Sequence, residues 1–151
     1  MIKHFSTLLA VLSLSVPLFS QSITIYKSEA KVGETVAKIV DQIKTNQELI
    51  FFEVVDHDVI AAKRGITLEP TKSILFEDPI LTSTLLECQK SAALDLPLEI
   101  LVWEEYGDVY VGFMDPKFMK RRFMIQECDD TIEQLSRLMI RVSMNALREL
   151  K

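Results

Sequence analysis

One stretch, Ala92 to Pro116 (AALDLPLEILVWEEYGDVYVGFMDP), limits what this chain can fold into more than any other. Leu98, Ile100 and Val102 alternate with Glu99, Leu101 and Trp103. Both sets are largely apolar, so the spacing predicts a strand buried on both faces, with one polar exception at its start. Glu104 to Asp108 interrupts the run with charges and Gly107, which takes a positive φ at no steric cost. Val109, Val111 and Phe113 then alternate with Tyr110, Gly112 and Met114. Two β-rich runs around a short Gly-containing loop define an antiparallel hairpin. Pro97 and Pro116 bracket it, as suits residues that cannot donate to a sheet ladder.

The chain has 151 residues and is 48% hydrophobic, enough for one domain with a proper core. Its net charge of −5 disfavours non-specific binding of nucleic acid. Residues 1–20 read as a secretory signal peptide: Lys3 gives a basic start, Phe5 to Phe19 an apolar core, and Ser20 a small residue before a cut near Ser20/Gln21. Export to the periplasm or medium is therefore expected, with residues 21–151 as a single α+β domain. No stable membrane anchor is expected after cleavage, because no later segment is long enough to span a bilayer.

In order, the pattern predicts a strand at Ser22 to Ser28 and a helix opened by Val32-Gly33-Glu34-Thr35, with Val36, Ile39, Val40 and Ile43 on one face. A nearly all-apolar strand at Leu49 to Val55 reads as central in the sheet. Asp56-His57-Asp58 reads as the cap of a short helix over Val59 to Arg64, since Asp at a helix start accepts backbone N–H bonds. A third strand ends at Phe76, and Asp78-Pro79 starts a helix reaching Ser91. After the hairpin come a short helix from Pro116 to Phe123 and a final helix opened by Asp130-Thr131-Ile132-Glu133, a capping-box variant. The apolar stripe of that last helix (Ile132, Leu135, Met139, Val142, Ala146, Leu150) faces either its own sheet or a second subunit. The element order β-α-β-α-β-α-β-β-α-α gives an α+β class with one mixed β-sheet and helices packed on it.

Five pieces of sequence carry a family resemblance: Glu34-Thr35, Val55-Asp56-His57, Pro70 to Phe76, Ala93-Leu94-Asp95-Leu96-Pro97-Leu98, and Met114-Asp115-Pro116. In order and spacing, Gly33 to Phe123 resembles the domain-of-unknown-function 302 family. One departure stands out. Where the family has Gly-Asn-Pro and then a Gly-Thr pair, this chain has Glu77-Asp78-Pro79 and Leu81-Thr82-Ser83-Thr84. The resemblance implies a compact α+β fold, commonly a homodimer, and implies no established activity.

Few residues can carry chemistry. His57 is the only histidine beyond the signal segment, so one chain cannot build a His-rich metal site. It is a candidate general base, or metal or haem ligand, with Asp56 and Asp58 favouring its cation; the alternative is a polar cap at a strand-to-helix turn. Cys88 and Cys128 are the only cysteines. A disulfide between them would stabilise the fold by about 4 kcal/mol in the chain-entropy model; two separate buried thiols fit the sequence equally well. Asp95, before Leu96-Pro97, is expected to accept backbone N–H bonds and fix the entry to the hairpin, or to act in acid/base chemistry with Asp115 or Glu104. No P-loop, dinucleotide fingerprint, G-x-S-x-G or H-E-x-x-H is present. The sequence thus points to an exported, non-enzymatic module that binds a small molecule or partner as a dimer. The alternative is a metal, haem or redox enzyme built on His57 with carboxylates or a thiol. No cofactor is specified.

Overall fold

The computed structural model describes residues 23–150, so the expected signal peptide lies outside the described residues. Five strands, β1 (Ile23–Ser28), β2 (Ile50–Asp56), β3 (Thr71–Glu77), β4 (Leu98–Glu105) and β5 (Asp108–Met114), form one sheet in the order β1-β5-β4-β3-β2. The helices are α1 (Val32–Thr45), α2 (His57–Ala62), α3 (Pro79–Cys88), α4 (Lys117–Arg122) and α5 (Asp129–Arg148). The α+β class and element order are those expected from the sequence, with one addition: a 3₁₀ segment, Lys90–Asp95, between α3 and β4.

The sheet itself differs from expectation in two ways. All four pairings are antiparallel, so it is not mixed. The β-α-β order suggested parallel neighbours, but α1 links the two edge strands, and α2 and α3 each return the chain antiparallel to the strand just left. In addition, β2 is an edge strand, not a central one; β4 occupies the centre. Apolar content alone does not distinguish a central strand from an edge strand whose side chains meet solvent. Ile50 and Phe52 of β2 are exposed, and an extra residue between Phe51 and Glu53 bulges the strand, a common way to blunt a sheet edge.

One face of the sheet carries the core. Ile74 and Phe76 of β3, Leu98, Ile100 and Val102 of β4, and Val109, Val111 and Phe113 of β5 are buried. Against them lie Val32, Val36, Ile39 and Ile43 of α1 and the stripe Ile132, Leu135, Leu138, Met139, Val142, Ala146 and Leu147 of α5. The last helix therefore spends its stripe inside its own subunit. Ser28 Oγ and Thr35 Oγ1, both buried, satisfy each other at 2.8 Å where β1 hands over to α1.

The helix ends follow the sequence unevenly. Asp78 caps α3, accepting from the Ile80 and Leu81 N–H groups at 3.0 Å. Asp56 makes no cap bond to α2. The last helix starts at Asp129, one residue before the expected box, with Cys128 in the left-handed region as its cap. Cys128 is bonded to Cys88 at the end of α3, their Cα atoms 6.5 Å apart, inside the range a disulfide spans.

The β4–β5 turn is tight: Glu105 pairs with Asp108, leaving Tyr106 (φ 53°) and Gly107 (φ 82°) as a two-residue loop. Two positive φ values define a type I′ turn, which favours Asn-Gly over Tyr-Gly. Tyr106 is 95% exposed and has little packing to lose. Tyr106→Asn is expected to stabilise the protein by about 1 kcal/mol, read as a higher midpoint in urea; an unchanged or lower midpoint contradicts the turn assignment.

Candidate functional site

Strand alternation places Ile23 and Ile25 of β1, Gly112 and Met114 of β5, Glu99, Leu101 and Trp103 of β4, and Ser73 and Leu75 of β3 on the face opposite the core. The expectation that β4 is buried on both sides is only half met here: Leu101 and Trp103 are half-buried, and among the described residues no helix covers this face. Ile23 and Ile25 are about half exposed (50% and 52%). A concavity of about 540 Å³ lies on it, lined by Ile25, Leu75, Leu94, Leu101, Trp103 and Met114 among others. That volume and lining are of the kind that receives small molecules.

The chain builds this hollow in two ways. Its floor depends on Gly112: a Cβ there would lie 2.9 Å from the Trp103 ring, so only glycine lets the indole settle on the sheet. Tyr110 stacks beside that ring, with centroids 5.5 Å apart. One wall is the 3₁₀ segment and the Leu96-Pro97 link that follows it. Asp95 ends that segment. Its Oδ1 pairs with Arg122 of α4 at 3.1 Å, and its Oδ2 is buried without a hydrogen-bond partner. The expected role for Asp95, accepting backbone N–H bonds, is replaced by this ion pair. Asp115, its expected acid/base partner, is instead held by Ser136 Oγ and the Lys117 N–H.

A polar chain borders the hollow. Ser73 Oγ donates to Glu99 Oε1 at 2.5 Å, and His57 Nε2 lies 2.9 Å from the same hydroxyl oxygen. Since the single hydroxyl proton goes to the carboxylate, His57 Nε2 is the donor to Ser73 and its Nδ1 is left to accept when the ring is neutral. Ser73 thereby bridges His57 and Glu99. Sequence reasoning identified His57 but missed Ser73 and Glu99. Only Glu99, the polar exception at the start of the β4 run, stood out in the sequence; that it meets Ser73 depends on the β3–β4 register.

Asp56 and Asp58 do not serve His57. Both face Lys72, at 2.5 and 3.6 Å. Burial raises the Asp58 pKa, but the Thr71 N–H and the Lys72 ammonium more than offset this and hold the carboxyl below its ordinary range. The Asp56 hydrogen bond lifts Lys72 above its ordinary value, against the cost of its own burial. These groups border a larger cleft of about 790 Å³ at the start of α1, where Lys27 pairs with Asp108 and Lys72 with the two aspartates. Lys27, Asp108, Lys72 and Asp58 are already paired there, and the apolar hollow is the better candidate for a ligand. Among the described residues no group of three or more His, Cys, Asp or Glu side chains is arranged to hold a metal ion. Cys88 and Cys128 face each other and bring no sulfur to His57.

The chain belongs to the family described as "Domain of unknown function DUF302", which matches residues 24–142. The structure of an uncharacterized conserved DUF302 protein from Bacillus stearothermophilus superposes with a TM-score of 0.70, covering 87% of this chain and 100% of that one at 12% identity; it shares the fold. Over 97 residues the chain is 31% identical to proteins named fluoride-specific ion channel FluC 1 from Brucella suis biovar 1 (strain 1330) and Brucella abortus biovar 1 (strain 9-941). That match spans 64% of this chain but only 38% and 36% of those proteins. Among the described residues no helix is long and apolar enough to cross a membrane.

The Lys72 cluster makes a pH prediction. A carboxyl whose pKa is lower folded than unfolded contributes stability above the unfolded value, and that contribution is lost as pH falls through the folded one. Melting temperature should therefore drop between about pH 5 and pH 2.5, and Asp58→Asn should flatten that drop while lowering stability near neutrality. Parallel pH profiles for the two proteins would show that Asp58 gains nothing from Lys72.

Proposed function

We propose that this protein is an exported, non-enzymatic module that binds a small, largely apolar ligand in the hollow on the open face of its sheet, and that it acts as a homodimer. The hollow carries the reading: a concave, mostly apolar surface holding the chain's only tryptophan, on a sheet face that no helix among the described residues covers. Burying such a surface is favourable by about 25 cal/mol per Å², so an apolar molecule of fitting shape gains by entering.

Export is supported by the sequence of residues 1–20 and by the bonded Cys88–Cys128 pair, which suits an oxidising compartment. Dimerisation is supported by a second apolar surface away from the hollow. Val59 and Ile60 of α2 and Ile66 and Leu68 of the loop after it are 44–61% exposed, and α2 buries none of its residues. Apolar surface of this kind marks contact with another chain.

N-Phenyl-1-naphthylamine, an uncharged probe that brightens in apolar surroundings, tests the ligand site. Its emission should rise with the wild-type protein, and Leu101→Glu should weaken its binding at least about tenfold by setting a charge in the hollow. Equal binding by both proteins would place the probe elsewhere and remove the reading. For export and assembly, protein recovered from the periplasm should start near Gln21, sediment as a dimer, and weigh two mass units less per chain before reduction than after. A cytoplasmic, full-length monomer contradicts both proposals.

A further inference from the structure

The hollow has a charge preference that its apolar lining conceals. Three ionisable side chains reach it: Asp95, Glu99 and Arg122. Asp95 and Arg122 neutralise each other at 3.1 Å, and the Arg122 guanidinium also lies over the Phe123 ring. That leaves Glu99 as the unbalanced charge. One Glu99 oxygen is held by Ser73, which His57 in turn supports, and the other makes no hydrogen bond among the described residues. Its carboxylate is thus fixed in direction with one acceptor oxygen free. On the same face of β4, four residues away and about 13 Å along the strand, Trp103 lies on Gly112 beside Tyr110. An indole face attracts cations as well as apolar groups.

Resting on the ligand-binding reading above, we propose that the hollow selects protonated arylalkyl amines, the ring over Leu101 with its edge toward Trp103 and the ammonium on the free oxygen of Glu99. A carboxylate of the same shape would meet Glu99 as a like charge. A neutral alcohol would gain the apolar contact and a weaker hydrogen bond. His57 and Ser73 act as positioning residues: they hold the Glu99 carboxylate and do not touch the ligand.

Three probes of matched shape separate the parts of this inference: 2-phenylethylamine, 2-phenylethanol and 3-phenylpropionate, titrated into the full mature protein at pH 7 and followed by Trp103 emission. The expected order is amine tightest, alcohol at least about tenfold weaker, and acid weakest. Raising salt from about 50 to 500 mM should weaken the amine and leave the alcohol unchanged. Glu99→Gln should bring the amine to within about twofold of the alcohol, moving the alcohol far less than the amine. Amine and alcohol of equal affinity in the wild type would overturn the charge preference and leave the ligand site standing. No binding by any of the three would remove both. An amine preference that persists in Glu99→Gln, or is indifferent to salt, would show that Glu99 is not its source. The salt series needs no variant, so it decides the matter even if Glu99→Gln does not fold.

Discussion

The described residues are organised around a sheet that they bury on one side only. Leu98, Ile100 and Val102 of the central strand β4 are buried in one core with the apolar faces of α1 and α5, while Glu99, Leu101 and Trp103, one position out of phase, are exposed or half-buried. Because side chains alternate with period two, the same strand that seals the core also floors the hollow. The helices supply much of the apolar contact with the sheet, and α5 alone commits ten buried residues to the interior. The opposite face is therefore free to keep apolar surface without being needed for folding. That division lets a domain of this size hold a stable core and a concave surface together.

The hollow is shaped by small local choices. Gly112 gives up a side chain so that Trp103 can lie on the sheet. The 3₁₀ segment brings Leu94 and Asp95 to the rim, and the Asp95–Arg122 pair ties that rim to α4. The Cys88–Cys128 link joins the end of α3 to the start of α5 beneath the same wall. Across the sheet, His57, Ser73 and Glu99 run from the end of β2 through β3 to β4 in one line of hydrogen bonds. A polar line of this kind, half sheltered by apolar neighbours, gives direction to a surface that would otherwise bind by shape alone.

Much of the fold was legible because its signals are local. The hairpin, the Asp78-Pro79 helix start and the stripes of α1 and α5 each rest on residues close in sequence. What the sequence concealed is set by distant neighbours. The apolar run of β2 looks the same at an edge as at a centre, and only pairing with β3 decides between them. The aspartates around His57 suggested a partner for the imidazole, yet Lys72, 14 to 16 residues on, takes both. Asp95 was singled out at the entry to the hairpin, but its partner Arg122 comes from α4, on the far side of the hairpin in sequence. Glu99 was visible as a polar exception in the β4 run, but Ser73 was not, since β3 also carries Thr71, Lys72 and Glu77; that the two meet depends on the β3–β4 register, in which Ser73 lies beside Leu101 and Glu99 beside Leu75.

The central claim is that the uncovered face, and not the packed core, receives a ligand. Methyl-resolved NMR of Ile, Leu and Val side chains during addition of 2-phenylethanol tests it most directly. The account predicts shifts at Ile25, Leu75, Leu94 and Leu101, with Ile39, Ile43, Leu135 and Leu138 of the helical face unmoved. Shifts confined to those core methyls, or none at Ile25 and Leu101 while others move, would contradict it.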